Sequence, residues 1–249
     1  MSAERPWFDA AFGAAYRDVY PHRDLAAARC EVAGLLERGL GRTGGPALDL
    51  GCGFGRHLAA LRERGVDAFG LDRSAELLAS IEAGLRRRVV RGDFRALPFG
   101  ARSFGAVAML FTSFGYFEDT ENERVLAEVA RVLVPGGELV LDLMNPARVR
   151  ATLVPESRSA RGGLAIVERR RLERGGTRVV KDVRVTGADG DERSWREDVR
   201  LYEPDELARL AADHGLERVR VEGDFDGRPF APEAPRQLVW LRRAEHAPR

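Results

Sequence analysis

The sequence predicts an α/β fold, a largely parallel sheet with helices on both faces. It is preceded by an N-terminal helical segment and interrupted late by an antiparallel β insertion. Three observations carry this. Short apolar runs alternate with helical stretches from Ala47 to Met144. A glycine cluster, Gly51-Cys52-Gly53-Phe54-Gly55, joins the first run to its helix. From about Leu164 to Tyr202 the pattern changes to extended segments separated by turn residues. Strand–helix alternation with apolar strands marks a parallel sheet covered on both sides.

The elements follow in order. Phe8, Phe12, Ala15-Tyr16 and Val19 share a helical face that Pro21 breaks. Asp24 is a good cap for a helix from Leu25 to about Arg38. Ala47–Leu50 is the first strand, and Arg56–Arg64 its helix, stopped by Gly65. Val66–Asp72 is the second strand, and Ser74 caps a helix through Ala83. Val89-Val90 and Phe104–Leu110 are the third and fourth strands. Val125, Leu126, Val129, Val132 and Leu133 align on one helix over Glu121–Leu133. Pro135-Gly136-Gly137 reads as a tight turn before a fifth strand, Glu138–Met144. Three extended segments follow: Leu164–Glu173, Thr177–Thr186 and Glu192–Leu201. Pro204 then opens a helix to His214, and Leu216–Val221 and Leu238–Leu241 are the last two strands. The expected division is residues 1–45 as a helical lid, 46–150 as the ligand-binding core, 151–202 as the antiparallel insertion and 203–249 as the completion of the core.

Charged residues make up 32% of the chain, yet the net charge is +1, so the charges are mixed rather than sorted by face. A nucleic-acid partner is not expected from that balance. Twelve basic and eight acidic residues between Arg158 and Arg200 read as a solvated sheet face. Of 40 basic residues only Lys181 is lysine, which reads as compositional bias without meaning at any one site. Cys30 and Cys52 form no C-x-x-C pair, so neither a metal site nor a disulfide scaffold is expected. No run approaches the ~20 apolar residues that cross a bilayer, so a cytoplasmic protein without a membrane partner is the expectation.

The glycine loop follows a strand and opens a helix, where the backbone approaches a ligand closely and free N–H groups point outward. Its spacing is G-x-G-x-G, not the G-x-G-x-x-G of dinucleotide sites, and no G-K-[ST] follows. Asp49 would repel a pyrophosphate but would hold the ammonium of an amino acid. Asp72 ends the second strand 21 residues after Gly51, where a carboxylate accepts ribose hydroxyls. Asp93-Phe94 follows the third strand; the acid suits an adenine amine and the ring suits stacking. S-adenosylmethionine carries an amino acid, a sulfonium and an adenosine but no phosphate, and matches this set better than NAD or ATP.

Asp49–Gly55, Gly70-Leu71-Asp72, Gly92-Asp93-Phe94 and Leu133–Glu138 resemble, in that order, the motifs of class I S-adenosylmethionine-dependent methyltransferases. The resemblance implies a Rossmann-like seven-stranded sheet with an antiparallel last strand. It implies Asp49 and Gly51 at the methionine part, Asp72 at the ribose, and Asp93 with Phe94 at the adenine. Cys52, Gly53, Gly55, His57, Arg73, Leu110 and Phe111 complete the expected cofactor contacts. Tyr16 with Pro21–Asp24, Phe111–Phe117 and Gly223–Gly227 resemble a group of small bacterial methyltransferases, largely without assigned substrates. That likeness implies that the N-terminal helices cover the cofactor, with Tyr16 and Arg23 reaching its carboxylate.

Methyl transfer from a sulfonium is an in-line displacement that needs donor and acceptor held close. The acceptor is expected beyond the fourth strand, against Ser113, Tyr116 and Phe117. That strand end lacks the [DN]-P-P-[YFW] motif of nucleic-acid amino-methyltransferases. A small-molecule acceptor, methylated on O, N or C, is favoured over a polymer. No general base stands out, and a monomer and a homodimer are both compatible with the sequence. A non-catalytic S-adenosylmethionine-binding module and an NAD-type oxidoreductase on the same fold remain alternatives.

Overall fold

Four consecutive buried residues, Ala47–Leu50 (β1), form an inner strand of a seven-stranded sheet in this computed structural model, which describes residues 6–13, 19–20 and 24–245. Tyr16 and Arg23 lie outside the described residues. On one side β1 pairs in parallel with β2 (Ala68–Asp72), and β2 with β3 (Val89–Arg91). On the other it pairs in parallel with β4 (Phe104–Met109), and β4 with β5 (Leu133–Leu143). The last strand in sequence, β11 (Gln237–Arg243), runs antiparallel to β5, and β10 (Leu216–Glu222) pairs with its outer edge. The antiparallel last strand expected from the resemblance is therefore present.

Alternate residues of each central strand face opposite helical layers. Ala47, Ala68, Ala106 and Ala108 leave room for the close approach of α2 (Leu25–Glu37) and α3 (Arg56–Glu63), which bury Val32, Leu35, Leu58 and Leu61 there. Leu48, Leu50, Val107 and Leu139 meet Val125, Leu126 and Val129 of α5 (Asp119–Val132) and Leu207 of α7 (Pro204–Ala212) on the other face. Asp24 caps α2 by accepting from the Ala27 N–H at 2.8 Å. Glu203 and Glu206 form a reciprocal capping box on α7.

Several elements depart from the sequence reading. Strand β5 starts at Leu133, because Pro135-Gly136-Gly137 is looped out of a continuing strand rather than ending it. Phe104 pairs with Leu133, but Ala106 already pairs with Glu138. The helix capped by Ser74, α4, stops at Ala79, where the Ser80 hydroxyl turns back onto the Leu77 carbonyl; a 3₁₀ turn follows at Ala83–Arg88. The insertion has four strands, not three: β6 (Glu156–Arg161), β7 (Leu164–Glu173), β8 (Arg178–Thr186) and β9 (Glu192–Arg200), in sequential antiparallel order. A short helix, α1 (Trp7–Ala11), packs between this second sheet and the core. Another, α6 (Pro146–Thr152), leads from β5 into the insertion. Among the described residues no helix is long and apolar enough to cross a membrane.

Gly105 in β4 lies against the loop that leads into β1, and a Cβ there would collide with the Gly44 carbonyl oxygen. Gly105→Ala is expected to destabilise the fold by about 1–3 kcal/mol, the cost of overpacking against backbone. A lower urea midpoint at unchanged m-value checks this.

Candidate functional site

The chain leaves β1 toward β2 and returns on its other side as β4, so the carboxyl ends of these strands flank a crevice. A cavity of about 280 Å³ occupies it. Gly51, Gly53 and Gly55 all have positive φ, at 90°, 53° and 83°. Gly51 is the tightest: a Cβ there would stand 2.9 Å from Ser113 Cβ and 3.2 Å from the Phe94 ring, whereas one on Gly53 would meet only Leu77 at 3.7 Å. The loop is thus a cradle that a side chain at Gly51 would fill. Cys52 lines it as a small buried group.

Asp72, at the end of β2, fastens the loop. One carboxylate oxygen accepts the Gly53 N–H and the other the Ser74 N–H, each at 2.8 Å. The Arg73 N–H also reaches this carboxylate, which still has acceptor capacity for a ligand hydroxyl. Burial pushes this carboxyl above its ordinary range. Asp49 does not line the cavity. It lies buried beneath the loop at 1% exposure, its Oδ2 has no hydrogen-bond partner, and burial raises its pKa.

Asp93 lines the cavity, yet its four lone-pair directions are taken. Oδ1 accepts the Arg95 N–H and Nε at 2.9 Å each; Oδ2 accepts Arg95 Nη2 at 2.7 Å and Arg73 Nη1 at 2.9 Å. The Arg95 side chain, more than any other group, holds this carboxyl down at about 2. Arg73 also reaches Asp9 of α1 at 2.7 Å, and the Ser74 hydroxyl donates to the Phe12 carbonyl at 2.7 Å. These contacts latch α1 over the crevice, with Phe8 and Phe12 in its wall.

At the far end the chain after β4 bends sharply. Phe111 and Thr112 have φ of 60° and 59°, a left-handed pair that side chains with a Cβ adopt at a cost of about 1–3 kcal/mol each. Asp142 of β5, fully buried, holds both: its Oδ2 accepts the Phe111 N–H at 2.8 Å and its main-chain oxygen the Thr112 N–H at 2.9 Å. Arg236 completes the charge with contacts of 2.9 and 3.0 Å to the same carboxylate, and its guanidinium lies 5.1 Å from the Phe111 ring centre. Arg56 lies equally close to that ring. Glu31 binds Arg56 at 2.8 Å and His57 at 2.7 Å, but Arg56 Nη2 is buried in the wall with no partner.

A second cavity, about 380 Å³, opens beyond Phe111. Phe12, Phe111 and Tyr116 line both cavities and form their common wall. Phe12 stacks on Tyr116 with ring centres 5.6 Å apart. The second cavity is also bounded by Trp7, Met144 and Arg236, and by Lys181 and Glu197 of the second sheet. Ser113 and Phe117, expected at the acceptor, line the first cavity: the Ser113 hydroxyl donates to the Leu50 carbonyl at 3.3 Å, and Phe117 packs edge-on to Phe8. Leu110, Phe94 and His57 line the first cavity as well, as does Gly53.

Sequence reasoning passed over Arg56, Asp142, Arg236, Lys181 and Glu197. Only Arg56 carried a local signal, a cation at the first position of a helix, where the dipole disfavours it.

A family model described as a methyltransferase domain matches residues 47–137. The cypemycin N-terminal methyltransferase of a Streptomyces species is 31% identical over 219 residues, covering 82% of this chain and 84% of that protein. The chain belongs to the S-adenosylmethionine-dependent methyltransferases. The CcbJ methyltransferase from Streptomyces caelestis shares the fold, with a TM-score of 0.79 over 95% of this chain and 99% of that one at 23% identity. A structure with S-adenosylmethionine bound, that of an amino pentose methyltransferase from Micromonospora echinaspora, matches with a TM-score of 0.64 at 26% identity, covering 93% of this chain and 95% of that one. S-adenosyl-L-methionine is the cofactor of this methyltransferase. The residues fit it: a glycine cradle, an acid at the end of β2 with acceptor capacity to spare, and buried unpartnered polar atoms on Asp49 and Arg56.

Because the folded pKa of Asp93 lies below the ordinary carboxylate value of 3.8, its contribution to stability is present above pH 4 and is lost as pH falls through about 2. Asp93→Asn is expected to cost about 1 kcal/mol at pH 7, after allowance for solvent screening, and to flatten the loss between pH 4 and 2. Thermal midpoints across that range check it.

Proposed function

We propose that the protein transfers the methyl group of S-adenosylmethionine to the nitrogen of a small-molecule amine held in the second cavity. The observation that carries this reading is the wall of Phe12, Phe111 and Tyr116 common to the two cavities, which brings a second bound molecule next to the cofactor. Two relatives support an amine acceptor: one is an N-terminal methyltransferase and another an amino pentose methyltransferase.

Each residue then has a task. Gly51 and Gly53 admit the cofactor close to the backbone, Asp72 accepts ribose hydroxyls, and Phe94 lies against the adenine. Asp93, saturated by Arg95 and Arg73, acts on the adenine side by ordering that wall and by anchoring α1 through Arg73. The buried Asp49 oxygen supplies negative charge beneath the amino-acid ammonium. Arg56 Nη2 meets the carboxylate; Tyr16 and Arg23 are assigned to the same group only by resemblance. The cofactor supplies an activated methyl on a sulfonium. The protein aligns the two partners and excludes water from between them. The three rings present π faces that attract cationic charge to this wall.

Release of S-adenosylhomocysteine over a panel of amines and their matched alcohols tests the reading. Turnover of amines is expected; turnover of alcohols alone refutes it. For the cofactor end, Arg56→Met is expected to weaken S-adenosylmethionine binding about tenfold or more, the scale of a charged hydrogen bond. Affinity for 5′-methylthioadenosine, which lacks the carboxylate, should stay unchanged. Equal losses for the two ligands, measured by calorimetry, would remove Arg56 from that role.

A further inference from the structure

The inner face of the second sheet, turned toward α1, sets a charged band among mostly apolar residues. Strand register aligns Leu172, Val179 and Val199 in one row across β7, β8 and β9, then Arg170, Lys181 and Glu197, then Glu168, Val183 and Trp195. Lys181 and Glu197 are direct cross-strand partners, 2.7 Å apart, and both line the second cavity. Tyr20 donates to Glu197 Oε1 at 2.8 Å, Trp195 Nε1 donates to the same oxygen at 3.2 Å, and Lys181 donates to the Tyr20 hydroxyl at 2.7 Å. Burial and the neighbouring Glu197 raise the Tyr20 pKa, which keeps its proton in place as a donor.

This pair is poorly explained by stability. Its side chains are 16% and 21% exposed, and a part-buried ion pair of this kind adds little net stability over an apolar pair, beyond serving the Tyr20 and Trp195 donors. The identity of the cation is informative too. Arginine is the cation at all but one of the chain's 40 basic positions, and the exception stands here. An ammonium is a compact point charge with three donors, whereas a guanidinium is a wide planar fork. Lys181 uses one N–H on Tyr20 and one on Glu197; Glu168 stands at 3.7 Å, beyond hydrogen-bond reach, so one N–H is left for another oxygen. Glu197 Oε2, engaged by Lys181, has a lone pair left. A donor and an acceptor thus stand side by side in a wall that is mostly apolar and aromatic, apart from Thr112 and from Arg236, which is paired with Asp142.

We propose that Lys181 and Glu197 determine acceptor specificity. Lys181 donates to an oxygen of the acceptor, and Glu197 accepts from a hydroxyl or amide N–H next to it. The acceptor is then an amine with a hydrogen-bonding oxygen set apart from the methylated nitrogen. This inference rests on the reading that the second cavity holds the acceptor. Its chemistry is met by a hydroxylated ring amine and by a peptide amide.

The test uses the full chain saturated with S-adenosylhomocysteine and titrated calorimetrically with glucosamine, alanyl-alanine and cyclohexylmethylamine. The first two represent the two sources of oxygen, and the third has none. The wild-type complex is expected to bind at least one oxygen-bearing probe more tightly than cyclohexylmethylamine, and which one it prefers identifies the source. Lys181→Met and Glu197→Gln should each lower that affinity about tenfold or more. They should leave the affinity for cyclohexylmethylamine and for S-adenosylhomocysteine unchanged. The double variant Lys181→Met/Glu197→Gln, which leaves no charge unpaired, gives the same result if a single variant does not fold. The proposal is overturned if the variants bind the oxygen-bearing probes like wild type, if the wild-type complex binds neither of them, or if cofactor-product affinity falls in parallel. Tight binding of a probe that depends on Lys181 but is never methylated refutes N-transfer and upholds the subsite.

Discussion

A sheet whose chain departs from β1 to one side and returns to the other leaves a gap at its carboxyl edge that no backbone connection covers. The polar groups of the site are arranged round that gap. The loop between β1 and α3 lies along it, its Gly51 and Cys52 N–H groups bonded to the Leu71 carbonyl and its Gly53 N–H to Asp72 at the end of β2. Both strands are parallel and register-locked, so the distance from cradle to carboxylate is fixed by hydrogen bonds of the sheet rather than by the loop. The same constraint sets Asp93 after β3 and Phe111 after β4 on the rim of one cavity.

The boundary between the two cavities depends on a different balance. Two consecutive left-handed residues, one of them β-branched, persist at Phe111 and Thr112 because Asp142 binds the amides of both. A fully buried carboxylate is costly, and burial raises its pKa; Arg236 offsets that cost with two short contacts and then covers the Phe111 ring. Backbone strain, a buried ion pair and an aromatic wall are in this way one unit, positioned between the two cavities.

The parts legible in the sequence are those with local signatures. Periodicity and caps located the parallel strands and the helices α2, α3, α5 and α7, and glycine spacing located the cradle. Strand β6 was missed because Glu-Ser-Arg-Ser-Ala-Arg is almost wholly solvent-facing and shows no alternation of polarity. Asp142 and Arg236 are 94 residues apart and meet only when β11 is laid against β5. Lys181 looked like compositional noise because its meaning lies in what surrounds it, a tyrosine 161 positions away and a glutamate on the next strand. Asp93 looked free for an adenine amine because nothing local shows that Arg73, 20 residues earlier, also uses it.

Helix α1 has five residues, too few to hold a helix unaided in water. It is kept in shape by Arg73 and Ser74 on one side and by the second sheet on the other. It supplies Trp7 to the outer cavity, and Phe12, the residue that caps it, belongs to the shared wall. The two binding spaces are therefore mechanically one: neither can be widened at this wall without disturbing the other. A change at any of the three shared rings alters the boundary of both cavities at once.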